Sequence, residues 1–201
     1  MIIAPLRLGI AGLGTVGVGV LKIINKNASL ISLRTGRDVI VTAVSARSRS
    51  KDRGINLSGL AWENDPIALA MREDVDVFVE LIGGSDGPAK DATEAAIAAG
   101  KDVVTANKAM LAVHGQSLAL AAESAGRAIR FEAAVAGGIP VVKALSEGLA
   151  GNKINRILGV MNGSCNYILT RMETSGLTYE DIFAEANALG YLEADPNLDV
   201  G

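Results

Sequence analysis

The sequence predicts a doubly wound α/β fold, a mostly parallel sheet with helices on both faces, running into the start of a second domain near residue 131. Three observations predict it. Short β-branched or apolar runs alternate with segments of helical character, the pattern of successive βαβ units. Hydrophobic residues make up 49% of the 201 residues but aromatics only 3%, and 23 are glycine, so the core is built from small side chains. The first apolar run also leads straight into Gly12-Leu13-Gly14-Thr15-Val16-Gly17, a glycine-spaced turn that opens a helix.

Each element follows in chain order. Leu6–Ala11 is a short buried strand, and Val18–Ile24 after the glycine turn is apolar and of helical length. Asn25–Arg37 is polar, carries Thr35-Gly36, and reads as helix end and loop. Val39–Val44 is a β-branched second strand, followed by a basic, Ser-rich loop over Ser45–Lys51. Asp65-Pro66 is a helix start, because Asp caps orphan N–H groups and Pro suits the first helical position. Val75–Ile82 is a third strand ending at Gly83-Gly84. Ala89–Ala99 is a helix stopped by Gly100, and Val103–Thr105 is a fourth strand. Leu118–Ala125 is an Ala-rich helix stopped by Gly126, and Ile129–Glu132 is a fifth strand. Beyond Phe131 the character changes: a Gly/Ala loop to Pro140, a helix over Val141–Leu149, and a strand over Asn155–Met161. Two helices close this stretch, the second capped by Thr178 with Asp181 three residues on.

Composition also excludes function classes. Charge is balanced at 19 Lys and Arg against 22 Asp and Glu, with no long run of one sign, which argues against a nucleic-acid-binding surface. The single cysteine, Cys165, rules out an intrachain disulfide and the usual zinc clusters. A single histidine, His114, makes a Ser-His-Asp triad a poor expectation. Met1–Leu6 is apolar but Arg7 follows it, whereas a signal peptide carries its charge ahead of the apolar stretch. No apolar run approaches the ~20 residues of a transmembrane helix. A cytoplasmic protein without membrane partners is expected.

The motifs cluster at strand ends. In the Rossmann-type dinucleotide turn, Gly12 permits the tight turn, Gly14 lets the backbone approach a pyrophosphate, and Gly17 lets helix and strand pack closely. The helix N-terminus then offers N–H groups and a positive dipole to phosphates. After the second strand an NAD site usually places an acid for the ribose 2′-hydroxyl. This chain instead has Arg47 and Arg49, whose guanidinium forks suit a 2′-phosphate. The loop favours NADP; NAD stays open, as does a plain solvated basic loop. Lys108, just past the fourth strand, is placed either to handle a proton or a carboxylate, or to sit on the surface. Glu132 precedes a loop of exposable carbonyls that suits a hard cation or serves as an interdomain hinge. Cys165, at a helix start, reads as a small buried thiol or as a nucleophile. The acidic loop with Glu193, Asp195 and Asp199 suits an amino group or a metal, or is simply acidic.

Taken in order, these segments resemble homoserine dehydrogenase. The resemblance rests on Gly12–Gly17, Thr105-Ala106-Asn107-Lys108, Glu132–Pro140, Asn162–Leu169 and Gly190–Pro196, and it runs over essentially the whole chain. It implies NAD(P)-dependent interconversion of L-aspartate 4-semialdehyde and L-homoserine, in threonine and methionine biosynthesis. It implies a dinucleotide-binding domain over 1–131 and, over 132–201, the beginning of an α+β catalytic and dimerisation domain, the family member being a homodimer. Leu13, Gly14, Thr15 and Val16 match the family's cofactor turn, and Ile82, Gly83 and Gly84 its loop beside the nicotinamide ribose. Thr105 and Lys108 match cofactor and substrate contacts. Glu132, Val135, Gly137 and Ile139 match a monovalent-cation site, sodium for example, through one side chain and three carbonyls. Ser164, Glu193 and Asp199 match substrate contacts, and Cys165 becomes a bystander. In the family a Lys, preceded by an Asp, lies beyond the Glu193 loop. The chain stops at Gly201, before both, so these residues are expected to bind the dinucleotide and to turn over homoserine poorly, with Lys108 the catalytic candidate present. A non-catalytic dinucleotide-binding module and a thiol-dependent semialdehyde dehydrogenase using Cys165 are the rival readings.

Overall fold

The computed structural model describes residues 3–159 and 162–192, in two compact units, Met1–Leu149 and Ala150–Gly201. The first unit is built on a sheet whose strands are β1 (Leu6–Ala11), β2 (Val39–Ser45), β3 (Ala61–Glu63), β4 (Val77–Glu80), β5 (Asp102–Thr105) and β6 (Ile129–Arg130). They lie side by side in the order β3-β2-β1-β4-β5-β6, and every neighbouring pair is parallel. The chain therefore steps outward from β1 in one direction, crosses back, and steps outward from β4 in the other. That reversal leaves a crevice at the carboxyl ends of β1 and β4.

The helices of this unit are α1 (Thr15–Lys26), α2 (Ala28–Thr35), α3 (Pro66–Met71), α4 (Pro88–Ala98), α5 (Lys108–Ser124) and the single turn α6 (Val141–Lys143). Side chains alternate between the two faces of a strand, and the core divides accordingly. Leu8, Ile10, Val44, Val77 and Val79 pack with Leu21 and Ile24 of α1. Ala11, Ala43, Phe78 and Val103 pack with α3, α4 and α5 on the other face. There the contact stripe of α4 is Ala89, Ala92 and Ala96, all fully buried, which lets the helix lie close to the sheet. The low aromatic content is thus a packing choice.

Several elements differ from the sequence reading. Residues 28–35 form α2, ended by Gly36 at φ +69, where a loop was expected. β3 went unread because three residues show no alternation. α5 begins at Lys108 rather than at 118, since the Asn107 side chain accepts from the Met110 N–H at 3.0 Å and caps it. The stretch read as one helix over 141–149 is α6 followed by a π-helical segment, Ala144–Gly148. Of the strand expected over Asn155–Met161, residues 155–159 carry none and 160–161 lie outside the described residues. A lone β-branched residue, Ile157, gives the segment little strand preference, and no neighbouring strand satisfies its N–H and C=O groups. Asp65 does cap α3, accepting from the Ile67 N–H at 2.9 Å.

At the amino-terminal edge of the sheet, Arg7 donates to both oxygens of Asp76 at 3.1 and 2.7 Å, and Arg72 to both of Asp74 at 2.7 and 2.9 Å. These hydrogen bonds hold both carboxyls below the usual carboxylate range. A depressed folded-state value stabilises the fold above the unfolded value of about 4 and loses that contribution as pH falls through the folded one. Asp76→Asn should therefore lower the urea midpoint at neutral pH, and its difference from the parent should close progressively below about pH 4. A difference unchanged by acid would exclude the ion pair as its cause.

In the second unit α7 (Gly163–Ser175) and α8 (Tyr179–Ala188) pack through Ile168, Ile182 and Ala186. Asn162 caps α7 by accepting from the Cys165 N–H at 3.0 Å, and Thr178 caps α8 by accepting from the Asp181 N–H at 3.3 Å. No single helix among the described residues is long and apolar enough to cross a membrane.

Candidate functional site

The glycine turn sits at the carboxyl end of β1, and its three glycines meet three different surroundings. Gly12 has φ +99, and a Cβ there would lie 2.2 Å from the Leu81 carbonyl oxygen. Its N–H donates to the Ser45 carbonyl at 2.8 Å, so the turn is wedged between the ends of β2 and β4. A Cβ on Gly17 would lie 2.0 Å from the Gly12 carbonyl oxygen, which makes that glycine the condition for α1 meeting the turn. Gly14 is different: nothing lies within 4 Å of where its Cβ would be. Its missing side chain serves no internal packing and leaves the start of α1 open.

That start carries no side-chain cap and no acidic residue in its first turn. The first N–H groups of a helix have no intrahelical acceptor, so Thr15 and Val16, both exposed, and Gly17 direct donors and the positive helix end outward at the crevice. This is the environment a pyrophosphate requires, and a Cβ at position 14 would fill part of it. Leu13 is buried among Leu21, Val44 and Val79 and contributes backbone only. Arg47 and Arg49 are exposed in the loop after β2. That loop is held to the turn by Arg53, whose guanidinium donates to the Leu13 carbonyl at 3.2 Å and the Ser48 carbonyl at 2.6 Å and lies 5.5 Å from the Trp62 ring. Arg53 was missed by the sequence reading, and no local pattern marks it.

Across the crevice, β4 ends in Glu80, fully buried. One of its carboxyl oxygens accepts from the Ile82 and Gly83 N–H groups at 2.7 and 3.1 Å, and the other accepts from the Thr105 hydroxyl at 2.5 Å. The Thr105 hydroxyl in turn accepts from the Asn107 N–H at 3.0 Å, and Asn107 Nδ2 donates to the Gly84 carbonyl at 2.7 Å. Gly83 and Gly84 have φ +85 and +90. Thr105 is fully buried and its hydroxyl is committed to this network, whereas Lys108, the first residue of α5, is exposed. Further along the loop His114 Nε2 and Asp86 Oδ1 lie 2.8 Å apart, tying residue 86 to α5. Hydrogen bonds from Ser85 and His114 hold the Asp86 carboxyl below its ordinary range. In the sequence Glu80 is one of two carboxylates, with Asp76, in the Val75–Ile82 run, and nothing local marks it as the buried one.

Beyond β6, the half-buried Glu132 opens the loop expected to hold a cation. Ala136 is at φ +55 and Gly138 at φ +83, and the Ala136 and Ile139 carbonyls accept from Ile139 and Val141 at 2.8 Å each. Val135 and Ile139 are exposed, and Gly137 lies between them. Among the described residues no three His, Cys, Asp or Glu side chains gather as a metal site, so a cation here would rest on Glu132 and backbone oxygens.

The sequence-predicted residues of the first unit thus fall at the carboxyl ends of β1, β2, β4, β5 and β6, along one rim of the sheet. In the second unit Ser164 is buried, and its hydroxyl donates to the Tyr191 carbonyl at 2.7 Å. Tyr191 stacks on Tyr167, ring centroids 4.7 Å apart. Cys165 is half-buried and not in a disulfide. Glu193, Asp195 and Asp199 lie outside the described residues.

A parallel sheet in this order, with an uncapped glycine-led helix at its switch point, defines a dinucleotide-binding α/β domain. Comparison with known proteins makes the assignment specific. Residues 12–132 match the family model "Homoserine dehydrogenase, NAD binding domain", and residues 140–201 the model "Homoserine dehydrogenase". The chain belongs to the homoserine dehydrogenase family. It is 48% identical over 196 residues to the homoserine dehydrogenase of Neisseria gonorrhoeae, covering 98% of this chain and 45% of that one. The solved homoserine dehydrogenase of Thiobacillus denitrificans is 43% identical with a TM-score of 0.89, covering 97% of this chain and 45% of that one. A hyperthermophilic archaeal homoserine dehydrogenase in complex with NADPH is 27% identical with a TM-score of 0.82, covering 97% of this chain and 64% of that one. The chain spans about half the length of the curated relatives it matches.

Proposed function

We propose that this chain is the cofactor-binding part and the start of the substrate part of a homoserine dehydrogenase, interconverting L-homoserine and L-aspartate 4-semialdehyde with NADP(H). The observation that carries the cofactor half is the open corner at Gly14, where the fold leaves room for a ligand and aims an uncapped helix end at it. A bound nicotinamide cofactor supplies the hydride donor or acceptor. The chain's own residues do the rest. The N–H groups of Thr15, Val16 and Gly17 hold the pyrophosphate, and Arg47 and Arg49 take a 2′-phosphate. Ile82–Gly84 border the nicotinamide ribose. Lys108 faces the reacting carbonyl oxygen, where an ammonium stabilises negative charge as it develops.

Residues 1–131 form the dinucleotide-binding part, and residues 132–201 belong to the substrate part. There Glu132, with the carbonyls of Val135, Gly137 and Ile139, holds a monovalent cation, and Ser164, Glu193 and Asp199 contribute to the substrate site. The substrate is a small molecule, as the relatives' names indicate, and a cytoplasmic homodimer with neither nucleic acid nor membrane as partner is the reading that goes with it. Fluorescence titration with NADPH tests the cofactor half, and homoserine-dependent reduction of NADP⁺ tests the whole. In a longer form containing this chain, Lys108→Met is expected to lower that reduction about 10²-fold, the scale of a lost proton-handling group, with NADPH affinity within a few-fold of the parent. Reduction at the parental rate would remove Lys108 from the chemistry. Cofactor binding with no homoserine-dependent reduction in any longer form containing this chain would leave a binding module instead.

A further inference from the structure

Two adjacent glycines make a poor cradle unless something holds them, since ordering backbone costs conformational entropy and glycine is the freest residue of all. Gly83 and Gly84 are held at both ends, and the two holds are connected. Glu80 grips the loop where it leaves β4, through the Ile82 and Gly83 N–H groups. Asn107 grips it at the Gly84 carbonyl. The Thr105 hydroxyl joins the grips, donating to Glu80 and accepting from Asn107. Asn107 also caps α5 through Met110, so the same network sets the backbone from which Lys108 projects.

We infer that Glu80, Thr105 and Asn107 are positioning residues for the nicotinamide half of the cofactor, fixing the Ile82–Gly84 loop and the start of α5 in one register. The inference rests on the dinucleotide reading above. The glycine turn needs no such device, because backbone contacts around Gly12 and Gly17 already fix it. The loop across the switch point has no comparable steric lock: the positions where Gly83 and Gly84 would carry a Cβ meet nothing closer than 3.8 Å. Its geometry depends on the buried carboxyl and the hydroxyl. The division of labour is therefore testable ligand by ligand: the pyrophosphate side is independent of Glu80, and the nicotinamide side depends on it.

The test compares two ligands, NADPH and 2′,5′-ADP, which lacks the nicotinamide half, by titration against the chain and its variants. Glu80→Gln keeps an oxygen for Ile82 and Gly83 but turns an amide toward Thr105, and the hydroxyl proton then loses its acceptor. Thr105→Val removes the link. Asn107→Asp keeps the α5 cap and loses the donor to Gly84. Each should weaken NADPH about tenfold, the size of one buried hydrogen bond, and leave 2′,5′-ADP within about twofold. Thr105→Ser, restoring the hydroxyl, should recover most of the loss. Equal weakening of both ligands, parental NADPH affinity in the folded variants, or a Thr105→Ser variant as weak as Thr105→Val overturns the inference. A parent that binds neither nucleotide overturns the dinucleotide reading together with it.

Discussion

Alanine at position 12 is expected to cost the chain a large share of its stability, whereas alanine at position 14 is expected to cost it only its ligand. The Gly12 substitution places a methyl 2.2 Å from the Leu81 carbonyl oxygen and 2.4 Å from its carbon, on a backbone at φ +99. All of these neighbours are backbone, so relief requires the ends of β1 and β4 to separate. A loss of about 4 kcal/mol or more is expected, against a total stability of about 5–15 kcal/mol for a domain. Gly17→Ala meets the Gly12 carbonyl at 2.0 Å and should behave alike. Gly14 has an ordinary φ of −79 and open space, so its alanine variant should stay within about 1 kcal/mol of the parent. Its NADPH affinity should nonetheless fall at least tenfold, the Cβ standing where phosphate must approach. Urea unfolding and NADPH titration of the three variants separate the two effects. A Gly14→Ala protein with parental affinity would remove the turn from the binding site.

The double variant Arg47→Ala/Arg49→Ala is expected to lose the preference for a phosphorylated ribose. A charge-assisted hydrogen bond is worth about 1.5–3 kcal/mol, so two guanidiniums on one 2′-phosphate correspond to a weakening of NADPH by about 10²–10³-fold after solvent screening. NADH, which presents a hydroxyl at that position, should bind both proteins alike. The loop itself should survive, because Arg53 rather than Arg47 or Arg49 attaches it to the Leu13 carbonyl. Parallel titrations with the two nucleotides give the ratio directly. An unchanged ratio would return both arginines to the solvent.

Local chemistry decided much of this architecture. The β-branched run at Val39, the cap at Asp65, the stop at Gly100 and the glycine spacing from 12 to 17 each specify conformation through neighbours a few residues away. These features were legible for that reason. Other elements were not, because their definition depends on a distant partner. β3 exists because β2 offers it three residues to pair with. Residues 155–159, read as part of a strand on the apolar pair Ile157-Leu158, have no strand to pair with. The first turns of α5 are separated from its Ala-rich half by His114-Gly115, a weak point for a helix, and they form on the Asn107 cap. The candidate site divides in the same way. The turn, the basic loop, the Gly83-Gly84 pair and Lys108 were readable as motifs, while Arg53 and the Glu80–Thr105–Asn107 network were not.

By itself, then, the sequence determined the fold class, the glycine turn and the family resemblance, since these depend on spacing and local backbone preference. Only the tertiary structure decided which glycine is steric and which is open. It also decided that Thr105 turns its hydroxyl inward and that Glu80 joins two strand ends. The physical reason is the range of the interaction: torsional preference acts over a few residues, whereas excluded volume and buried hydrogen bonds join residues 12 to 81 and 80 to 105 only after the sheet has formed.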